Sequence, residues 1–412
     1  MQNIETFELR KWAGIRRPNT RYSLAGSAPV PLTLKRLASL SSDPTRTTQV
    51  LGSLDSVPLG EPSTNLELRE NIAAALFDFE TSGVTAEHVF ITAAGTTGAN
   101  ELSLQSLIQP GDHVIVQYPS YGQLLGIPNA AAKVDVSLWR MDPANGWAAN
   151  IDQLRTMVEK GKTKLIVLNN PHNPTGYTLP TELRREIVKL AKNNDVWLHV
   201  DEIFRPLFHE PGSDASSFMD FTSEYSKVVV TGSTSKAWGL SGIRIGWIVS
   251  KEKSIREACS NLSGYVFGHC GALDTVIATE ALSSRCNSII LQQSLAQAKT
   301  NIQLLDQFVQ RNAANVAWMK PAAGATAFIQ FRKGDKQPVD ATDFCNKLKA
   351  HTGVLLAPGS LCFGDGPERS GECQELKGFV RWHLTGLTEV MEKGIAEIES
   401  FLRDGFDAVQ VS

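Results

Sequence analysis

A lysine and an arginine stand eight residues apart in residues 233–247, STSKAWGLSGIRIGW, among small and hydroxyl-bearing side chains. Lys236 follows the apolar run at 227–230 (KVVV), which reads as a buried strand. An amine set between small residues at the end of such a strand can be desolvated, which lowers its pKa and frees it to condense with a carbonyl; a solvated loop lysine is the plainer reading. Ser233, Ser235 and Arg244 add two hydroxyls and a guanidinium, donors suited to a phosphate. The combination describes a reactive lysine beside a phosphate site. A phosphate-bearing aldehyde uses both, and pyridoxal phosphate is the cofactor with that chemistry.

Other residues fit the same chemistry. Asp201 closes VWLHVDE at 196–202; a carboxylate at the C-terminal end of a parallel strand lies where ligands bind and can pair with a protonated pyridine nitrogen. Capping of the next segment is the plainer role. Residues 169–177, NNPHNPTGY, hold two X-Pro steps and a glycine, which fix an irregular turn and present Asn173 from it. Gly95, Thr96 and Thr97 in AGTTGA at 94–99 lie between a strand and a helix, where backbone N–H groups and the helix dipole favour an anion. Tyr121 in YPSY offers a ring for stacking or for packing. Arg381 in FVRWH at 379–383 puts a guanidinium inside an apolar strand; its anion is either a substrate carboxylate or an internal partner.

These residues need a scaffold, and the hydrophobic pattern supplies one. Short, nearly continuous apolar runs at 89–92, 113–117, 134–138, 164–168, 196–201, 227–231 and 245–250 read as strands. Helical stretches at 97–108, 120–127, 151–159 and 180–194 alternate with them. That order predicts an α/β fold with a mostly parallel seven-stranded sheet covered on both faces. After residue 251 the pattern changes to a long helix at 283–311, strands at 316–331, 354–357 and 379–384, and helices at 341–351 and 387–402. A smaller α+β unit is expected there. Residues 16–31 read as an extended arm, 32–40 as a short helix, and 66–79 as a helix capped by Ser63 or Thr64. The expected division is a large domain at 45–290 and a small one made of 1–44 and 291–412.

Bulk properties narrow the function class. The 412 residues are 42% hydrophobic and 20% charged, with a net charge of −3, which gives no basis for binding nucleic acid or an anionic membrane. Six cysteines form no CxxC pair, so they read as reduced core thiols, and no metal is expected. The N-terminal residues lack an apolar signal core, and no run of 18 uncharged apolar residues occurs, so a cytoplasmic location is expected.

Taken in order, Gly95-Thr96-Thr97, Tyr121, Asn173-Pro174-Thr175-Gly176, Asp201-Glu202, Ser233 with Ser235-Lys236, Arg244 and Arg381 resemble the class I/II aminotransferases, a fold-type I group of pyridoxal-phosphate enzymes. The resemblance spans about residues 20–404. It implies that Lys236 binds the cofactor as a Schiff base and then shuttles the proton, that Asp201 holds the pyridine N–H, and that Asn173 contacts the ring 3′ oxygen. It also implies that Tyr121 stacks on the ring, that Gly95, Thr96, Thr97, Ser233, Ser235 and Arg244 line the phosphate, and that Arg381 takes the substrate α-carboxylate. A homodimer with active sites at the subunit interface is implied as well.

Two positions depart from the family pattern. A tyrosine usually stands three residues after the aspartate, where this chain has Phe204. A tyrosine sent by the neighbouring subunit to the phosphate is missing from residues 57–62, where Leu59 aligns. The implied activity is amino transfer between an α-amino acid and a 2-oxo acid. The departures keep a second activity in view, elimination, replacement or cyclisation of an amino acid. A catalytically silent ligand-binding relative is the remote third, because Lys236 is present. Arg16, Arg17 and Arg21 read as solvated charge, with recognition of an acidic side chain as the alternative.

Overall fold

A computed structural model describes residues 5–53, 65–131, 133–210, 214–364 and 374–412. Its strands, in chain order, are β1 (Tyr22–Ser23), β2 (Val89–Thr92), β3 (His113–Tyr118), β4 (Asp135–Arg140), β5 (Thr163–Asn169), β6 (Trp197–Asp201), β7 (Val228–Ser233), β8 (Gly246–Val249), β9 (Val316–Trp318), β10 (Thr326–Phe331), β11 (Val354–Leu355), β12 (Ala357–Pro358) and β13 (Phe379–His383).

The seven-stranded sheet has the order β2-β8-β7-β6-β5-β3-β4. Strands β3 to β7 pair in parallel, and β8 runs antiparallel to both β2 and β7. Strand β2 therefore points the same way as the parallel set. The apolar runs form strands because alternate side chains serve opposite faces. Ile115, Ile166, Leu168, Val228 and Val230 enter one core, while Val114, Val116, Leu165, Val167 and Val229 enter the other. Helices Leu66–Leu76, Thr181–Asn194 and Ala272–Leu282 cover the first face; Thr96–Leu107 and Lys253–Val266 cover the second. Burial on both faces explains why these strands read as continuous hydrophobic runs.

A third core gathers the antiparallel sheet β12-β13-β10-β9, helices Ala341–Thr352 and Thr388–Asp404, and the end of the long helix Asn287–Arg311. The N-terminal segment joins it. Leu9, Trp12 and Leu24 are buried there, the Trp12 indole donates to the Leu356 carbonyl at 2.8 Å, and β1 pairs in parallel with β11.

The structure departs from the sequence reading where polar content masks an element. A helix, Glu8–Arg16, precedes the extended arm at 16–31, whose only strand is the two-residue β1. The stretch at 316–331 is two strands, because Pro321 and Gly324 lie between them and cannot continue a ladder. The run at 354–357 also splits, β11 joining β1 and β12 joining β13. The helix at 66–79 stops at Leu76 and resumes as Phe79–Ser82, capped by Asp78; Asn65 precedes its start, and Ser63 and Thr64 lie outside the described residues. Helices Pro44–Leu51, Lys253–Val266 and Ala272–Leu282 lie outside the expected helices, although Asp43 caps the first and Pro44 opens it. Leu37 and Leu40, inside the 1–44 segment, pack into the core of the large sheet, because helix Leu34–Leu40 turns its buried leucines that way. The five cysteines among the described residues are buried and unpaired, and Cys373 lies outside them. Among the described residues no helix is long and apolar enough to cross a membrane.

Candidate active site

Strand register brings the candidate residues to one edge. Asn169 lies opposite Asp201, Asp201 opposite Thr231, and Gly246 opposite both Thr92 and Ser233. The loops leaving β2, β5, β6 and β7 converge at this carboxyl edge, the place where open α/β sheets bind ligands. They frame a cavity of about 230 Å³ lined by Thr96, Thr97, Tyr121, Asn173, Asp201, Ser233, Ser235, Lys236 and Arg244. Arg381 reaches the same cavity from β13 of the other sheet. Gly95 is the one expected residue that stands behind the lining.

Gly95 instead shapes the turn. It precedes helix Thr96–Leu107 with φ 65°, and a Cβ on it would lie 3.1 Å from the Arg244 guanidinium. Ala94 (φ 63°) and Arg244 (φ 55°) are also left-handed, at about 1–3 kcal/mol each for residues with a Cβ. Mutual bonds hold them: the Gly95 N–H donates to the Arg244 carbonyl at 2.8 Å, and Arg244 Nη2 donates to the Ala94 carbonyl at 2.6 Å. Arg244 Nη1 donates to the Ser241 carbonyl at 2.9 Å, so the guanidinium is fixed at the helix N-terminus. Beside it the buried hydroxyls of Thr96 and Ser235 have no hydrogen-bond partner within the protein. Buried donors are rarely left so, and an anion is their natural acceptor.

Lys236 lies three residues past β7, its Nζ 2.9 Å from the Ser27 hydroxyl. Burial brings its pKa down to about 7; the positive charges of Arg381 and Arg244 add to the fall, and Asp201 opposes it. The amine is thus substantially neutral at neutral pH, as a nucleophile or base requires. Asp201, 2% exposed, is pushed up to about 6 by burial, against hydrogen bonds from Asn100 and the Ile203 N–H. Arg381 is 3% exposed and is lowered to about 10 by burial. Its Nη1 donates to Asn173 Oδ1 at 3.2 Å, Nη2 to the Ala25 carbonyl, and its Nε has no partner. No carboxylate among the described residues forms an ion pair with it, so this buried cation presents itself to an incoming anion.

Asn173 owes its place to the turn after β5, where Asn169 Oδ1 accepts from its N–H at 2.7 Å and Asn169 Nδ2 donates to the Asp201 carbonyl at 2.7 Å. Tyr121 heads helix Gly122–Ala130, its ring edge-on to Phe7 at 5.3 Å. Phe204, 1% exposed, lines the cavity and carries no hydroxyl to it; a Cβ on Gly324 would lie 3.2 Å from its ring. Leu59, aligned with the absent tyrosine, lies outside the described residues.

Sequence reasoning overlooked Ser27, Asn100 and Arg10, each brought in from a distant element. For Ser27 the signal was the small-residue run at 25–28; for Asn100 it was an amide inside an apolar helix. Of the arm's arginines, Arg16 binds Asn346 Oδ1 at 2.9 Å and stacks 3.4 Å from the Trp12 ring, and Arg21 pairs with Glu397 at 3.5 Å. Neither these two nor Arg17 lines the cavity, whereas Arg10 does.

These residues fit pyridoxal phosphate. The unpartnered Thr96 and Ser235 hydroxyls beside Arg244 suit a phosphate, the desolvated Lys236 suits an aldehyde, and the buried Asp201 carboxylate suits a ring N–H.

Residues 58–370 match the family described as aminotransferase class I and II. Capreomycidine synthase of Streptomyces vinaceus is 31% identical over 276 residues, covering 66% of this chain and 67% of its own. Aspartate aminotransferase of Thermotoga maritima is 24% identical over 343 residues, covering 83% and 82%. Among solved structures, a PLP-dependent aminotransferase from Streptococcus suis superposes with a TM-score of 0.83 and 29% identity, over 97% of this chain and 98% of that one. The mostly parallel seven-stranded sheet, its edge-on site and these matches lead to one conclusion: the chain belongs to the class I and II aminotransferase family, fold-type I enzymes that work with pyridoxal phosphate.

Proposed function

We propose that this protein transfers an amino group between an α-amino acid and a 2-oxo acid. The observation that carries the reading is Lys236, a desolvated amine of pKa about 7 in a cavity that also presents a buried cation, Arg381, and a buried carboxylate, Asp201. Pyridoxal phosphate, when bound, supplies an aldehyde that takes up amines and a ring that stabilises the charge left by the departing α-proton. Arg244, Thr96, Thr97, Ser233 and Ser235 hold its phosphate. Asp201 takes the ring N–H, Asn173 the 3′ oxygen, and Tyr121 lies against the ring. Arg381 grips the substrate α-carboxylate. That grip fixes the α-carbon and gives Lys236, once its amine is free, a single proton to remove.

A second reading, elimination, replacement or cyclisation of an amino acid, is favoured by Phe204. A phenylalanine removes one donor to the 3′ oxygen and so changes which protonation states are stabilised around the substrate. The 31% identity to a relative named as a synthase also supports it.

A single-turnover screen of amino acids against the holoprotein separates the two. Stoichiometric pyridoxamine phosphate together with a 2-oxo acid is the expected product pair. Ammonia or a cyclised amino acid, with no pyridoxamine phosphate, contradicts amino transfer and supports the second reading.

A further inference from the structure

We propose that Asn100 and Thr231 form a relay that holds Asp201 as an oriented anion, and that through it these two positioning residues govern the affinity for pyridoxal phosphate. The inference rests on Asp201 being the partner of the ring nitrogen, and goes on to identify what keeps it competent.

Asn100 sits in the second turn of helix Thr96–Leu107 and is fully buried, as is Thr231 on β7. The Thr231 hydroxyl donates to Asn100 Oδ1 at 2.6 Å, and Asn100 Nδ2 donates to Asp201 Oδ2 at 2.9 Å. The other carboxylate oxygen, Oδ1, accepts from the Ile203 N–H at 2.9 Å. Each oxygen of Asp201 thus has a protein donor, and the capacity that remains is for a donor in the cavity. The chain of bonds has a direction. With Oδ1 of the amide taken by the threonine hydroxyl, only the NH₂ faces Asp201, and an NH₂ stabilises a carboxylate. The flipped amide would set Oδ1 against Asp201, an arrangement suited only to the protonated acid.

Energetics make this arrangement consequential. Burial raises Asp201 to about 6, and the Asn100 hydrogen bond is the largest influence opposing that rise. The other charged groups around the carboxyl are Lys236 from the loop after β7, which favours the anion, and Glu202 beside it on the chain, which disfavours it. Tyr121, Arg10, Arg244 and Arg381 look on from the cavity wall. A carboxyl already this close to neutrality becomes mostly protonated at neutral pH when one donor is lost. A protonated acid cannot take the ring N–H as an ion pair. The sign follows: affinity is present above the folded pKa of Asp201 and falls as pH drops through it, and loss of the relay moves that fall to higher pH.

The test is the dissociation constant of pyridoxal phosphate from the full-length chain, measured over a pH series spanning about 6, for wild type, Asn100→Leu, Asn100→Asp, Thr231→Val and Asp201→Ala. Asn100→Leu is expected to weaken binding roughly ten- to a hundred-fold, the size of one hydrogen bond to a charged group, with the midpoint moved up by about one unit. Thr231→Val moves both quantities in the same direction by less. Asn100→Asp, nearly isosteric, moves them furthest because two carboxyls then share the site. An Asn100 that merely fills space between helix and sheet would alter thermal stability and leave the midpoint where it is. Should the leucine variant fail to fold, the aspartate and valine variants still decide the matter. An unchanged midpoint in the folded variants, with affinity lost in Asp201→Ala, overturns the relay alone. Wild-type affinity in Asp201→Ala overturns the assignment of Asp201, and the relay with it.

Discussion

Phe204 is the residue on which the two readings of the chemistry turn. Its ring is buried and lines the cavity, so a tyrosine there brings a hydroxyl to the wall without a new path for the backbone. Phe204→Tyr is expected to lower the pH midpoint of the bound cofactor's visible absorbance by about one unit, the effect of one added donor on an oxyanion. An unchanged midpoint would show that the side chain at 204 does not face the cofactor. Much of this scale was legible in the sequence. Lys236, Asp201, Asn173, Arg244 and Arg381 stand in motifs whose spacing survives folding, and the cavity gathers all five. Ser27 and Asn100 left only weak local signals, because their partners, Lys236 and Asp201, lie 209 and 101 positions away along the chain. Nothing local in the sequence records such a contact.

At the scale of elements, the anion cradle depends on how closely the turn before helix Thr96–Leu107 packs on the start of β8. A Cβ on Gly246 would lie 2.5 Å from the carbonyl carbon and oxygen of Gly95, backbone atoms that cannot swing aside. Gly246→Ala is therefore expected to destabilise the fold by about 1–3 kcal/mol and to weaken cofactor binding. Thermal denaturation and a cofactor titration check this, and wild-type values in both would contradict the packing argument. Strands were the easiest elements to anticipate. Burial on both faces leaves a run such as LIVL at 165–168 with nothing polar to obscure it. Helices Lys253–Val266 and Ala272–Leu282 were harder, since neither has a side-chain cap at its N-terminus. The break of 316–331 into β9 and β10 was signalled by Pro321 and Gly324, whose weight against a strand the apolar neighbours concealed.

At the scale of the whole molecule, the site is assembled from two sheets and an arm. Lys236 comes from the large sheet, Arg381 from the small one, and Ser27 from the N-terminal segment clamped between them. Tyr265, Val266 and Leu273, on consecutive helices, are large apolar side chains left exposed in the single chain. A homodimer is expected, with a solution mass by light scattering about twice the 44.9 kDa of the chain. A monomer at micromolar concentration would contradict it. The proposed chemistry depends on one amine. Borohydride reduction of the cofactor-loaded protein, followed by peptide mass mapping, asks which lysine carries the cofactor. The expected result is one phosphopyridoxyl adduct per chain, on the peptide that contains Lys236, and none in Lys236→Ala. An adduct on any other lysine, or none in the wild-type protein, would contradict the assignment on which the proposed chemistry stands.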